Sequence, residues 1–393
     1  MAFDSPIVIV NGARIPTGKF RGYYANTPAH ELGAAAARAA AERAGIPMAD
    51  VDDFVVGCVG QTGADAYISR RIALAAGARA SSTALTVNRV CGSGVQALAS
   101  AASALRSGDA RIVMAGGAEN MTRQPVMDFS RAGHLNGPKH VDGTFSLISD
   151  PFSGRPMGWT AERVAEKFGI SRAEQDAFAA QSQARAQAAI TAGAFDKERV
   201  PFTIDAGEPT ERVVAAEEYP RAGVTAETLS HLPPVFAAHG TVTAGNSSGI
   251  NDGAAMLVLM REEDAIAAGV DILGELVDVA TVGVEPEYMG YAPRFAIEKV
   301  LERTGLSRAD IGWVELNEAF ASQAIAVIRD AELDPEIVNP LGGAIALGHP
   351  VGASGAIISL RALLNQRERG IEHSLVTLCI GGGQGIAAII RAR

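Results

Sequence analysis

Four residues carry the chemistry in this sequence: Cys91, His349, Cys379 and Asn317. Cys91 stands in Asn88-Arg89-Val90-Cys91-Gly92-Ser93-Gly94, a tight polar turn directly before a long helical stretch. A helix N-terminus offers unpaired N–H groups and partial positive charge, which favour a thiolate and lower its pKa. The flanking glycines let a substrate approach the backbone, so we read Cys91 as a nucleophile rather than a core thiol. His349 lies in the loop Gly342-Gly343-Ala344-Ile345-Ala346-Leu347-Gly348-His349-Pro350 and is the base that could take the proton of Cys91. Cys379 ends an apolar stretch and precedes Ile380-Gly381-Gly382-Gly383, where free N–H groups could face an oxyanion. Asn317, in Leu316-Asn317-Glu318-Ala319-Phe320, could hold a water or a carbonyl. Cys58, the third cysteine, is expected in the core.

Composition narrows the class. The 393 residues carry 34 basic and 44 acidic side chains, a net charge of −10, which argues against a nucleic-acid binder. An anionic ligand must therefore be met by local N–H groups and a few placed cations. Three cysteines form no disulfide framework and suit a reducing compartment. No Cys or His pair has metal-ligand spacing, and none of the phosphate-loop patterns is present, so no metal is expected. Residues 1–18 contain no secretory signal pattern, and no apolar run approaches the roughly 18 residues of a membrane span. These features predict a cytoplasmic protein with no membrane partner.

The elements that must position these residues repeat. Residues 41–51 align with 301–311 at an offset of 260, and Phe54-Val55 with Trp313-Val314 at 259. Val90-Cys91-Gly92-Ser93-Gly94 aligns with Val351-Gly352-Ala353-Ser354-Gly355 at 261, and 112–117 with 375–382 at about 263. One unit recurs. It has a helix ended by glycine (29–44; 292–303), a short strand (53–59; 312–316), a turn opening a long helix (92–106; 354–364) and an apolar strand (110–115; 374–380). Alternating strands and helices with near-continuous apolar strands predict an α/β fold around a largely buried sheet. His349 falls in the pseudo-symmetric loop to that of Cys91, so the two should face each other; Cys58 falls opposite Asn317. Residues 120–240 have no counterpart and form an insertion with helices at 159–168 and 172–192. The expected division is 1–119 plus 241–270, the insertion 120–240, and 271–393.

These motifs resemble the thiolase family over essentially the whole chain. The resemblance implies duplicated α/β units in layers α-β-α-β-α, with largely buried mixed sheets and an inserted loop domain. It implies an acyltransferase acting on coenzyme A thioesters: Cys91 acylated, His349 accepting its proton, Cys379 as general acid/base at the α-carbon. The tetrahedral oxyanion would sit on the N–H groups of Cys91 and Gly381, and the enolate oxygen near His349 and a water held by Asn317. Coenzyme A contacts implied in the same way are Arg221, Thr228, Phe236, Ala244, Ser248, Met157, Met289 and Phe320. No permanently bound cofactor is implied, and assembly is as a homodimer or homotetramer. The leading expectation is acetyl-CoA C-acetyltransferase; the alternative is a broader 3-ketoacyl-CoA thiolase. A decarboxylating ketoacyl synthase usually pairs its cysteine with two histidines, and here Cys379 occupies one of those places. A non-catalytic acyl-CoA binder has no need of the four residues together. Pro156 stands before Met157-Gly158 where short-chain members often carry His, and Ala292-Pro293 replaces the usual Gly-Pro.

Overall fold

The computed structural model describes residues 5–130 and 140–393; part of the expected insertion, residues 131–139, lies outside the described residues. The first unit runs β1 (Ile7–Arg14), α1 (Ala29–Ala44), β2 (Asp53–Gly57), α2 (Ile68–Ala76), β3 (Thr83–Val87), α3 (Ser93–Ser107) and β4 (Ile112–Asn120). After helices α4 (Gly158–Phe168) and α5 (Arg172–Thr191), the chain returns as β5 (Asn251–Arg261). The second unit runs β6 (Gly274–Gly283), α6 (Ala292–Thr304), β7 (Ile311–Leu316), α7 (Ala321–Asp330), α8 (Ser354–Arg369), β8 (His373–Ile380) and β9 (Gln384–Ala392).

Strand order makes the duplication explicit. The first unit reads β1-β5-β4-β2-β3 across its sheet, and the second reads β6-β9-β8-β7. A single bridge from Val338 to Val314 stands where the first unit has β3. In each unit the central pair is parallel (β2 with β4, β7 with β8) and the last strand antiparallel. The two halves are hydrogen-bonded into one sheet where Val8 and Ile9 meet Glu275 and Gly274.

Alternation along the strands generates three cores. In β1, Ile7 and Ile9 face one core while Val8 and Val10 face another. In β8 and β9, Val376, Leu378, Ile386 and Ala388 share the first core with α3 and α8, while Leu375, Ala387 and Ile389 turn to a third with α6 and α7. The middle core therefore packs α3 and α8 between the two half-sheets, and α1 with α2, and α6 with α7, cover the outer faces. This is the layering α-β-α-β-α. Both faces of the central strands are buried, which is why β5 is buried at all eleven positions and reads as an apolar run over residues 254–260.

The insertion is tied to both units by buried charge. Arg14 of β1 donates to Glu198 at 2.7 Å and to Glu217 at 2.7 Å, and Arg361 of α8 donates to Glu198 at 3.2 Å. Helix α5 begins with a capping box in which Ser171 and Glu174 satisfy each other's backbone N–H groups.

Candidate active site

Cys91 sits at the sharpest point of its turn. Val90 has φ +46°, a left-handed conformation that a β-branched residue adopts only under constraint. Ser93 Oγ supplies part of it, donating to the Val90 carbonyl at 2.7 Å and accepting the Arg89 N–H at 2.9 Å. The turn delivers Cys91 to the wall of a cavity one residue before the N-cap, Gly92, of α3.

His349 arrives from the pseudo-symmetric loop. Its N–H donates to Asn251 Oδ1 at 2.9 Å, and its Nδ1 lies 2.6 Å from Ser354 Oγ. Ser354 Oγ also donates to the Pro350 carbonyl at 2.9 Å, so it accepts from His349 and places the imidazole proton on Nδ1. Nε2 is left as the basic nitrogen, with Asn317 Nδ2 3.5 Å away. Burial pushes the His349 pKa down to about 4, so the ring is neutral at rest.

Cys379 is fully buried at the end of β8. Burial raises its pKa first, and the neighbouring Cys91 charge raises it further. Gly381, Gly382 and Gly383 turn the chain into β9; Gly382 and Gly383 have φ +84° and +82°, which glycine alone adopts without strain. This turn points the Gly381 N–H at Cys91 Sγ, where it and the Cys91 N–H both favour the thiolate.

The charge state of Cys91 differs from the sequence-based expectation. A helix N-terminus predicts a lowered pKa, yet that of Cys91 is raised to about 11. Desolvation at the cavity wall outweighs the two N–H groups, and the Glu119 carboxylate adds to the rise. Cys91 therefore rests as a thiol, and a base is needed to ionise it.

A cavity of about 130 Å³ brings together Cys91, His349, Cys379, Gly381, Met157, Phe236, Ser248, Met289 and Phe320. Met157, Phe236, Met289 and Phe320 pack with Cys379 in one small apolar cluster, and the Phe236 and Phe320 rings meet edge to face at 6.2 Å. The remaining wall is mostly apolar, with Met121, Leu147, Ile148, Pro156 and Ile250, and carries Ser247 as a polar member. Asn317 lies behind this wall and reaches the site through His349. Arg221, Thr228 and Ala244 are exposed and outside the cavity. The Arg221 guanidinium lies over Tyr219, whose ring abuts Gly249, and Leu229, beside Thr228, packs on Gly245. Cys58 is buried as expected.

Ser354, which holds the His349 ring, is a residue that the motifs alone do not single out. The repeat holds the signal, because Ser354 aligns with Ser93 and each hydroxyl donates to a carbonyl of its own turn.

Known proteins resemble this chain over essentially its whole length. Residues 7–263 match the thiolase N-terminal domain and residues 270–392 the thiolase C-terminal domain. The acetyl-CoA acetyltransferase of Shinella zoogloeoides is 45% identical over 397 residues, covering 99% of this chain and 100% of its own. That of Paracoccus denitrificans is 46% identical over 382 residues, covering 97% of each. Among solved structures, Bacillus anthracis acetyl-CoA acetyltransferase has a TM-score of 0.96 at 39% identity, with 99% of each chain covered. Human mitochondrial 3-ketoacyl-CoA thiolase in complex with CoA has a TM-score of 0.94 at 37% identity, covering 100% of this chain and 99% of its own.

Proposed function

The chain belongs to the thiolase family, and from that premise we propose that it catalyses the reversible Claisen condensation of two acetyl-CoA to acetoacetyl-CoA and CoA. The observation that carries this reading is the meeting of Cys91, His349, Cys379 and the Gly381 N–H in one cavity.

In the first half-reaction, the Cys91 thiol gives its proton to His349 Nε2 as its sulfur attacks the thioester carbonyl. The oxyanion that develops is met by the N–H groups of Cys91 and Gly381, fixed donors in a poorly solvated site. Collapse expels the CoA thiolate, which takes the proton back from His349, and leaves acyl-Cys91. In the second half, Cys379 passes its own proton to His349 Nε2 and, as the thiolate, removes the α-proton of a further acetyl-CoA. That proton is weakly acidic, so a thiol of raised pKa is useful because its thiolate is a strong base. Acylation assists, because an acyl-Cys91 cannot ionise and so cannot oppose the Cys379 charge. The enolate, its oxygen near His349 and Asn317, attacks the acyl carbon; Cys91 leaves as the thiolate and takes the proton held by His349, while Cys379 keeps the α-proton as its thiol.

Coenzyme A would enter past Arg221, Thr228 and Ala244, with its pantetheine along Ser248 and Phe236. Met157, Met289 and Phe320 would enclose the thioester. We also assign the insertion, 120–240, to substrate recognition, with 1–119 plus 241–270 and 271–393 as the two catalytic halves. A cytoplasmic homodimer or homotetramer completes the reading, and three free cysteines support a reducing compartment. Among the described residues, no helix is long and apolar enough to cross a membrane.

A second reading, 3-ketoacyl-CoA thiolase of wider range, is favoured by the wall of Leu147, Ile148 and Pro156, which offers apolar surface to a longer chain. Thiolysis rates over a series of 3-ketoacyl-CoA lengths separate the two. A maximum at acetoacetyl-CoA supports the first reading, and a strong preference for eight carbons or more overturns it.

A further inference from the structure

The duplicated fold sets a second group of residues at the positions pseudo-symmetric to the catalytic centre. Sheet register fixes its members. Phe54 neighbours Met114, and its equivalent Trp313 neighbours Ser374, so this strand repeats at an offset of 260 rather than the 263 read from its glycines; Met114 matches Ser374 and, further along the strands, Glu119 matches Cys379. By the same repeat Gly352 matches Cys91, Asn88 matches His349 and Cys58 matches Asn317. In this mirror the seat is occupied from within. Glu119 is fully buried, and its carboxylate accepts the N–H groups of Val59 at 2.9 Å, Gly60 at 3.0 Å and Gly352 at 3.0 Å. The Cys58 thiol lies 3.7 Å from it. A Cβ on Gly352 would fall 2.6 Å from Glu119 Oε2 and 2.9 Å from Cys58 Cα. A cysteine there, as in the active copy, has no room.

We propose that Glu119 is a positioning residue of the catalytic centre, a built-in carboxylate in the mirror site that clamps the His349–Ser354 loop to the first unit and sets its charge behind the start of α3. The clamp follows from the chain. Gly352 lies between His349 and Ser354, the residue that fixes its tautomer, and its N–H is held by a carboxylate whose other two bonds go to the turn after β2. That turn abuts the start of α3: a Cβ on Gly57 would sit 2.8 Å from both the Gly352 carbonyl and Ser93 Cβ. The electrostatic part follows from what faces what. Glu119 lies against the Cys58 thiol, and its charge is felt at Cys91 across the start of α3. Cys91 shares its cavity with Cys379 and His349. A negative charge at Glu119 disfavours a second one at Cys91.

The proposal rests on Cys91 being the nucleophile, but its test does not require acyl transfer. The rate of Cys91 alkylation by iodoacetamide is followed against pH on the intact enzyme, with the labelled cysteine identified by peptide mass spectrometry. Glu119→Gln removes the charge and should move the Cys91 profile to lower pH by roughly half to one unit, while Glu119→Asp keeps it near wild type. Turnover should nevertheless fall in Glu119→Gln, because an amide cannot accept all three N–H groups and the loop loosens. A Glu119→Gln profile unchanged or moved to higher pH overturns the electrostatic claim, and unchanged kcat overturns the clamp. Should neither variant fold, the wild type decides. Glu119, held up at about 7 by burial against its three N–H donors, should put a step in the profile there, and a single smooth titration contradicts the proposal.

Discussion

Ser354 Oγ lies 2.6 Å from His349 Nδ1 and donates to a backbone carbonyl, so the imidazole presents Nε2 as its basic nitrogen. A hydroxyl here does the orienting that a carboxylate does in many nucleophilic triads, without placing a charge beside the ring.

Replacing Ser354 by Ala removes that tautomer lock. We expect kcat to fall by about one to two orders of magnitude with KM for acetyl-CoA little changed, since no contact on the coenzyme side moves. Steady-state kinetics on folded protein checks this; an unchanged kcat would show that the tautomer is set elsewhere.

The Gly381–Gly383 turn should be intolerant of side chains for a stated reason. Gly383 has φ +82°, and a Cβ there would meet the Val284 carbonyl at 2.3 Å. Gly383→Ala should cost well over the ~1 kcal/mol of left-handed strain alone and lower kcat by displacing the Gly381 N–H. Gly45→Ala, at φ +66° with open space around it, is the control. It should lose stability modestly and keep its kcat. Thermal melts and steady-state rates on the two variants check the contrast.

Glu198 joins all three parts of the chain. Burial alone would raise its pKa, but Arg14 and Arg361 overcome that and hold it below the ordinary 4.5. Its contribution to stability is complete above about pH 4.5 and lost as pH falls through the lower folded-state value. Glu198→Ala leaves buried guanidinium groups short of a partner and should destabilise by about 3–5 kcal/mol. Denaturant melts at pH 7 and pH 4 measure both, and the deficit should narrow at the lower pH.

Much of this is legible in the sequence because the fold is written twice. The helix expected at 29–44 is observed at Ala29–Ala44, and the one expected at 92–106 at Ser93–Ser107. Turn glycines and apolar strands mark each unit locally. The edge strand β3 and helices α2 and α7 carry no such marks, being short and part of a unit whose repeat has diverged there. The apolar start of β1 reads in sequence only as a run too short for a membrane. At the site, the motifs supply the residues but not their charge states. Whether a helix N-terminus or desolvation governs Cys91 depends on how deep the sulfur sits, a three-dimensional quantity. Glu119 is invisible to motif reading because its partners are backbone N–H groups, which leave no pattern in side-chain types.

The central claim is an acyl group carried on Cys91 and passed on with the help of Cys379. Replacing Cys379 by Ala separates the two events, since the first half-reaction needs only Cys91, His349 and the N–H groups of Cys91 and Gly381. After mixing that variant with acetyl-CoA, peptide mass spectrometry should find acetyl on Cys91 while acetoacetyl-CoA formation falls by at least about two orders of magnitude. Acetyl absent from Cys91, or condensation at the wild-type rate, would contradict the account.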